Sequence, residues 1–403
     1  MTSTILITLC LLLLLAYGFD ISSPLTKIPS VILLMLLGWL VKKLSGVVEI
    51  QLPDLNPLLP VLGTLGLILI VMDGSLELEL NQSKKALIKK SFLMALFPLL
   101  ALAFLLAFAF NYFGDVSYKT GLVNAIPFCV ISSAIAIPSV RGLSTTDKEF
   151  IIYDSSLSDI LGVLFFNFIS LNEVIDTGSF VHFGFQIVLI VVISFVAVLG
   201  LSFLLSRISN HISYTPIILL VILIYAISKE FHLPSLIFIL VFGLFLGNLN
   251  QLKHFLWIKK FGLEKLDKEI ARFKDITIEA TFLIRALFFI LFGFLIQAED
   301  VLNLSTLPWS ISITVVTILI RWSVLKYLRL SSPTLLWVMP RGLITVLLFL
   351  SIATSDSISF VNKSLVLQTI LLSVLTMMIG LMTNKSSAAG ETDLTESSAH
   401  QKM

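Results

Sequence analysis

Residues 153–159 read YDSSLSD and place two carboxylates and three serine hydroxyls inside an apolar run. That run, from Phe150 to Ile169, is long enough to cross a bilayer. A charge near the middle of a membrane costs at least about 2.5 kcal/mol, so acids at that depth are usually partnered, functional or both. At about 100° per residue, Asp154 and Asp159 are roughly 140° apart around the helix and face different surroundings. The stretch therefore predicts one acid that lines a watery cavity and carries an ion, beside a second that forms a structural charge pair.

The composition indicates a chain embedded in a membrane. Of its 403 residues, 57% are hydrophobic and only 13% are charged, with a mean hydropathy of +1.02, whereas soluble domains carry about 25% charged residues. The net charge of +2 gives no indication of nucleic-acid binding. The two cysteines, Cys10 and Cys129, support neither a disulfide framework nor a thiolate metal site. The sequence predicts an all-α polytopic membrane protein in the lipid bilayer, without a cofactor and without enzymatic activity.

Apolar stretches along the chain predict thirteen transmembrane helices. The seventh acts as a linker between two six-helix inverted repeats, so that the fifth span corresponds to the twelfth. The thirteen predicted spans are 4–21, 28–44, 57–76, 91–111, 118–140, 150–170, 182–206, 214–228, 234–249, 276–297, 307–326, 333–353 and 363–383.

Loop charges predict the orientation of these spans. Most of the 27 lysine and arginine residues fall in the loops on one side if the N-terminus is outside and the C-terminus is cytoplasmic. The polar segment 249–275 is expected to be a solvated connector or an amphipathic helix on the inner surface. Residues 385–403 are rich in Ser, Ala, Thr and Glu and are expected to form a disordered cytoplasmic tail after a membrane domain of residues 1–384.

Two spans are expected to be broken where they cross. The fifth carries Pro127 and Pro138 on either side of a serine pair, Ser132 and Ser133, and the twelfth carries proline and glycine around Arg341. Unwound backbone is tolerated in a membrane only where it lines a cavity or is buried in protein, and transporters often place their site at such breaks. Arg341 is expected to neutralise the ends of the half-helices there.

Arginines within spans need acids or carbonyls, because guanidinium stays charged at these depths. Arg321, in the eleventh span, is the favoured partner of Asp154, and Arg285, in the tenth, is the second candidate. Asp73 and Glu77 lie near the inner end of the third span and are interpreted as interface or capping groups.

In these features the chain resembles the monovalent cation:proton antiporter superfamily, in particular its NhaP-type and eukaryotic Na⁺/H⁺ exchanger branch. The sixth span of that branch reads E-S-x-x-N-D, and residues 154–159 read DSSLSD. The arginine-glycine motif of its twelfth span matches Arg341-Gly342, and residues 72–80, MDGSLELEL, resemble the end of its third span. The serine at 158 replaces the asparagine of that branch, and Ser132-Ser133 resembles the serine-rich break of the potassium-efflux branch.

This resemblance implies a secondary antiporter in the cell inner membrane that exchanges Na⁺, K⁺ or Li⁺ for a proton by alternating access. Asp159 falls on the aspartate that binds the cation or the proton, and Asp154 with Arg321 falls on the structural charge pair of the family. The expected cation ligands are the Asp159 carboxylate, the hydroxyls of Ser155 and Ser158, backbone carbonyls near Ser132 and Ser133, and water. A single carboxylate cannot hold both ions, so one-for-one electroneutral exchange is expected. The resemblance also implies a homodimer.

Three alternatives from other classes remain. A passive K⁺ pore, or an uncoupled K⁺ transporter of the same fold, is compatible with the missing asparagine and with a fifth span that lacks an acid. An intramembrane aspartyl protease needs a second convergent aspartate in a G-x-G-D motif, which the sequence lacks. A purely structural or receptor-like membrane protein would bury two acids and three arginines without using them.

Overall fold

The computed structural model describes residues 2–26, 28–47, 54–55, 57–78, 82–140, 142–172, 176–207, 218–219, 221–223, 225, 235–248 and 263–383. These residues form α-helices and short 3₁₀ turns, with no β-strand among them. The α-helices are α1 (Thr2–Thr26), α2 (Ser30–Val47), α3 (Leu58–Glu77), α4 (Lys85–Gly114), α5 (Tyr118–Ala125), α6 (Ser133–Ser139), α7 (Thr145–Leu171), α8 (Thr177–Arg207), α9 (Ser235–Gly247), α10 (Leu263–Leu295), α11 (Ala298–Val301), α12 (Leu307–Tyr327), α13 (Thr334–Trp337), α14 (Leu343–Leu350) and α15 (Lys363–Thr383).

The all-helical membrane fold predicted from the sequence is confirmed. Within the described residues, eight helical segments are long and apolar enough to cross a membrane, and two shorter apolar segments accompany them. The breaks in the fifth and twelfth spans are present, as the pairs α5/α6 and α13/α14. The number thirteen stays a prediction, because most of the eighth predicted span, 214–228, lies outside the described residues, as does the tail 385–403.

The helices pack as two groups. In the framework group, α10 packs extensively against α2 and α3, and α9 packs against α3 and α8. In the site-bearing group, α4 packs against α5 and α7, α12 packs against α15 and α4, and α6 packs against α7. The groups meet where α3 contacts α14 and α7, and where α1 and α2 contact α6. The broken helices therefore belong to one group and face the other.

Glycines allow the closest contact inside the framework group. A Cβ atom on Gly38 of α2 would lie 2.0 Å from the carbonyl oxygen of Ile290 on α10. A Cβ atom on Gly293 of α10 would lie 2.1 Å from the carbonyl oxygen of Met35 on α2. Each helix thus presents a glycine to the backbone of the other, which lets the two helices approach closely. In a membrane, where no hydrophobic effect drives helices together, such close packing contributes to their association.

Helix α10 is longer than the sequence suggests. It begins at Leu263, so residues 263–275, expected to belong to a solvated connector or a separate amphipathic helix, continue the tenth span as regular helix. Leu, Glu and Lys make up seven of these 13 residues, and they favour helix wherever it can propagate from an anchored span. At the other end, the ammonium groups of Lys363 and Lys42 donate to the carbonyls of Leu295 (2.8 Å) and Ile296 (3.0 Å), which satisfies carbonyls at the helix terminus.

Candidate ion-binding site

The two broken helices are joined backbone to backbone at their crossing. Residues 129–132 between α5 and α6, and residues 338–342 between α13 and α14, leave the helical conformation. The N–H of Ser132 donates to the carbonyl of Pro340 at 2.8 Å. Gly342 leaves room at this contact, because a Cβ atom there would lie 2.6 Å from Ile135 Cδ1 and 2.8 Å from the Ser132 hydroxyl oxygen and would force these side chains to shift. The unwound segments are buried in protein, as the membrane demands of irregular backbone.

Asp159 of α7 points into this crossing. Its side chain is buried, and Oδ2 accepts two hydrogen bonds from Ser133, one from the backbone N–H at 3.1 Å and one from the hydroxyl. The other oxygen, Oδ1, is buried and has no hydrogen-bond partner among the described residues. The break in the fifth span therefore holds one carboxylate oxygen and leaves the other available for a proton or a cation.

The remaining predicted ligands lie in different settings. The hydroxyl oxygen of Ser158 accepts from the N–H of Ile131 at 2.9 Å, so Ser158 helps to fix the unwound segment. The Ser132 hydroxyl is buried without a described partner. Ser155 instead donates to the carbonyl of Ile151, one turn back in its own helix, at 2.8 Å. The structure thus brings Ser132, Ser133 and Ser158 to the crossing, whereas Ser155 bonds to its own backbone.

The Asp154 side chain projects from a different side of α7 than that of Asp159 and forms an ion pair with Arg321 of α12. Arg321 Nη2 donates to Asp154 Oδ2 at 2.6 Å, and Arg321 Nε donates to the carbonyl of Leu335 at 2.8 Å. Both side chains are essentially inaccessible to solvent, at 0% for Arg321 and 1% for Asp154. Arg321 of α12 thus joins α7 through a charge-assisted bond and α13, the first half of the second broken helix, through the Leu335 carbonyl.

Arg341 lies in the break between α13 and α14, buried, with no carboxylate partner among the described residues. Its guanidinium donates to the carbonyl of Met339 at 3.5 Å and to the hydroxyl oxygen of Thr317 at 3.3 Å. The Thr317 proton is already used, because that hydroxyl donates to the carbonyl of Ile313. The guanidinium therefore faces two oxygen acceptors, the Met339 carbonyl of the break and the Thr317 hydroxyl.

A cavity of about 280 Å³ leads toward Ser133. Its polar and charged side chains are four carboxylates, one guanidinium and three hydroxyls: Asp20, Asp73, Glu77, Glu279, Arg285, Tyr17, Thr281 and Ser133. Asp73 Oδ1 is buried there without a hydrogen-bond partner among the described residues. The interpretation of Asp73 and Glu77 as interface or capping groups is replaced by a position on the cavity wall. The cavity carries an excess of acidic groups and ends one hydrogen bond from Asp159.

Arg285 does not pair with Asp154, for which it was the second candidate. Its Nη2 lies 3.4 Å from Asp20 Oδ1, and its Nη1 donates to the carbonyl of Ala134 at 3.2 Å. Sequence reasoning missed Asp20 because this acid lies near the end of an apolar helix, where it resembles an interfacial group. The sequence feature that could have indicated an additional buried acid was Arg285 itself, because a guanidinium inside a span requires an acid from another span.

Comparisons with known proteins agree with this architecture. Two solved structures of the sodium proton antiporter MjNhaP1 from Methanocaldococcus jannaschii superpose on the chain with TM-scores of 0.68 and 0.67, each at 18% sequence identity. The first match covers 94% of this chain and 98% of that one, and the second covers 96% and 97%. At this identity the likeness shows the fold.

A comparison with curated protein sequences returned no match. Residues 9–385 match the family model described as sodium/hydrogen exchanger, transmembrane, and the chain therefore belongs to that family.

Proposed function

We propose that this protein is a secondary antiporter that exchanges a monovalent cation, Na⁺ or alternatively K⁺ or Li⁺, for a proton at Asp159. Membership of the sodium/hydrogen exchanger family supports cation/proton antiport, a transport activity and not an enzymatic one. The observation that carries the assignment is the Asp159 carboxylate, buried at the crossing of two broken helices with one oxygen held by Ser133 and the other unpartnered among the described residues. A proton and a cation compete for that second oxygen.

The surrounding oxygen atoms suit a hard monovalent cation. Ser132 and Ser158 place hydroxyl oxygens at the break, and Ser155, one helical turn before Asp159 on α7, is a further candidate ligand whose hydroxyl now donates to the Ile151 carbonyl. Hard cations prefer oxygen ligands, and no sulfur or imidazole is needed. The acidic cavity wall raises the local cation concentration in front of Ser133 by electrostatic focusing.

Only one of the two buried acids of α7 is free to exchange ions. Asp154 is committed to Arg321 in a dry environment, and breaking such a pair leaves an uncompensated buried charge. Asp159 has no basic partner among the described residues. One carboxylate that alternates between a proton and a monovalent cation carries the same charge in both directions, so the exchange is electroneutral with a stoichiometry of one to one.

Transport requires the site-bearing group of helices to move relative to the framework group, so that Asp159 faces each side in turn. The cavity described above is then one access route. The positive-inside pattern supports an N-terminus outside the cell inner membrane, with the cavity opening on the cytoplasmic side. The family resemblance supports a homodimer formed through the framework group.

The proposal is tested by reconstituting the protein in vesicles and recording the dissipation of an imposed pH gradient. Addition of Na⁺, K⁺ or Li⁺ should trigger dissipation that persists when the membrane potential is clamped. Asp159→Asn should abolish the response, whereas the matched surface variant Asp176→Asn should respond normally, because asparagine is an equally good residue at a helix N-terminus. Normal exchange by Asp159→Asn would show that the site is misassigned, and a cation-dependent current would identify a pore.

A further inference from the structure

Arg285 connects three helices from inside the cavity. It projects from α10, pairs with Asp20 of α1 at 3.4 Å and donates to the carbonyl of Ala134 in α6 at 3.2 Å. The side chain is only 8% exposed although it lines the cavity, and its guanidinium lies 6.0 Å from the ring centre of Phe282. Helices α1 and α10 belong to the framework, whereas α6 carries the site, so Arg285 spans the boundary between the two groups.

The acceptor in α6 is created by a proline. In a regular helix the carbonyl of Ala134 would accept from the N–H four residues later, but that residue is Pro138, which has no N–H. The carbonyl is therefore left for another donor, and Arg285 supplies it. Ala134 directly follows Ser133, the residue that donates twice to Asp159. The bond from Arg285 thus fixes α6 at the residue next to Ser133, whose two donor groups hold the Asp159 carboxylate.

Asp20 holds the other side of the guanidinium. Asp20 Oδ1 also accepts from the hydroxyl of Ser30 on α2 at 3.3 Å, so the acid is itself fixed between α1 and α2. The other charged groups that line the cavity are Asp73, Glu77 and Glu279. A planar fork that bonds an acid and a carbonyl in different elements at once is a geometry that lysine cannot reproduce.

We propose that Arg285 is a positioning residue that ties α6 to the framework and stabilises the arrangement in which the cavity is open. This inference rests on the proposed alternating access of Asp159. When the site-bearing group moves, Ala134 separates from Arg285 and the hydrogen bond breaks, so the bond favours the present arrangement over the opposite one. Its removal shifts the population toward the arrangement in which this cavity is closed.

Two cysteine reporters measure that population. Ile70 lines the cavity, whereas Leu347 is buried against Gly63, nearer the opposite end of α3. Ile70→Cys and Leu347→Cys are introduced separately into a Cys10→Ser background, since Cys10 is exposed and the remaining Cys129 is buried. Each protein is labelled in vesicles with a small charged methanethiosulfonate. The ratio of the two labelling rates follows the ratio of the two arrangements and requires no transported ion.

Arg285→Gln should shift this ratio toward Leu347→Cys labelling by about tenfold, the scale of one charge-assisted hydrogen bond. Arg285→Lys should recover part of the shift. Arg272→Gln, which removes an exposed arginine from the same helix, should leave the ratio unchanged. An unchanged ratio in Arg285→Gln, or an equal shift in Arg272→Gln, overturns the proposal.

Pro138→Ala provides a second test that leaves Arg285 in place. The new N–H competes for the Ala134 carbonyl, so the ratio should shift in the same direction. In the double variant the two effects should not add, because both remove the same bond. Full additivity, or no shift in Pro138→Ala, contradicts the proposal even if Arg285→Gln fails to fold. Exchange at Asp159 is judged separately by the pH-gradient assay, so a failure of one proposal is distinguishable from a failure of the other.

Discussion

Ser133 donates both its backbone N–H and its hydroxyl to the same oxygen of Asp159, and the carboxylate is thereby oriented at the break in the fifth span. Ser133→Ala should keep the N–H bond and lose the hydroxyl bond. We expect cation-dependent exchange to continue with kcat/KM lowered by roughly 10-fold or more, the scale of a hydrogen bond to a charged group.

The matched control for this variant is Ser139→Ala in the same half-helix, whose hydroxyl donates to the Ile135 carbonyl and does not contact Asp159. Initial rates of pH-gradient dissipation, measured over a range of cation concentrations, give the comparison. Equal losses in the two variants would assign the effect to α6 as a whole and not to the Asp159 contact.

The Asp154–Arg321 pair should contribute to stability and not to ion exchange itself. Asp154→Asn leaves the Arg321 guanidinium buried without its counter-charge, and removal of one partner of a buried pair typically costs about 3–5 kcal/mol. The thermal unfolding temperature in detergent should fall clearly, while Asp159→Asn should change it little. The double variant Asp154→Asn/Arg321→Gln should recover part of the loss, and a further additive decrease would count against a direct pair.

Competition at one carboxylate determines how the exchange depends on pH. A proton on Asp159 excludes the cation, so the apparent KM for the cation should rise as the pH falls and approach about a tenfold increase per pH unit. The maximal rate at saturating cation should change much less. Initial rates measured at several pH values and cation concentrations distinguish this pattern from a pH-dependent loss of active protein, which would lower the maximal rate at constant KM.

The α2–α10 contact should be intolerant of even one added methyl group. A Cβ on Gly38 would lie 2.0 Å from a backbone oxygen of α10, so Gly38→Ala must force the helices apart and should lower the unfolding temperature. Gly46→Ala, in the same helix with nothing within 4 Å of the added atom, is the matched control. That change should be neutral or slightly stabilising, since alanine favours helix over glycine by about 1 kcal/mol.

Much of the fold could be predicted because its signals are local. Apolar runs define spans, and Pro127, Pro138 and Pro340 predict the breaks from their missing N–H groups alone. The start of α10 at Leu263 was not predictable in the same way, because a polar segment with good helix formers reads equally well as a connector.

Contacts between distant segments were harder to predict. The partner of Arg285 lies 265 residues away at the end of α1, and no local pattern distinguishes Asp20 from an interfacial acid. The two donor groups of Ser133 could be assigned only once α6 and α7 were placed side by side. The sequence predicted that the two acids within the apolar part of α7 have different neighbours, and the structure identifies these neighbours as Ser133 and Arg321.

The separation of Asp154 from Arg321 along the chain has a consequence for biosynthesis. The two residues are 167 positions apart, so at about 5–20 residues per second the ribosome needs roughly 10–30 s to make the arginine after the aspartate. During that interval the apolar part of α7 carries two acids and lacks the arginine that pairs with Asp154, which makes it a poor substrate for stable insertion on its own. We therefore expect stable insertion of α7 to depend on the emergence of α12, which would make Arg321 necessary for assembly as well as for the folded protein.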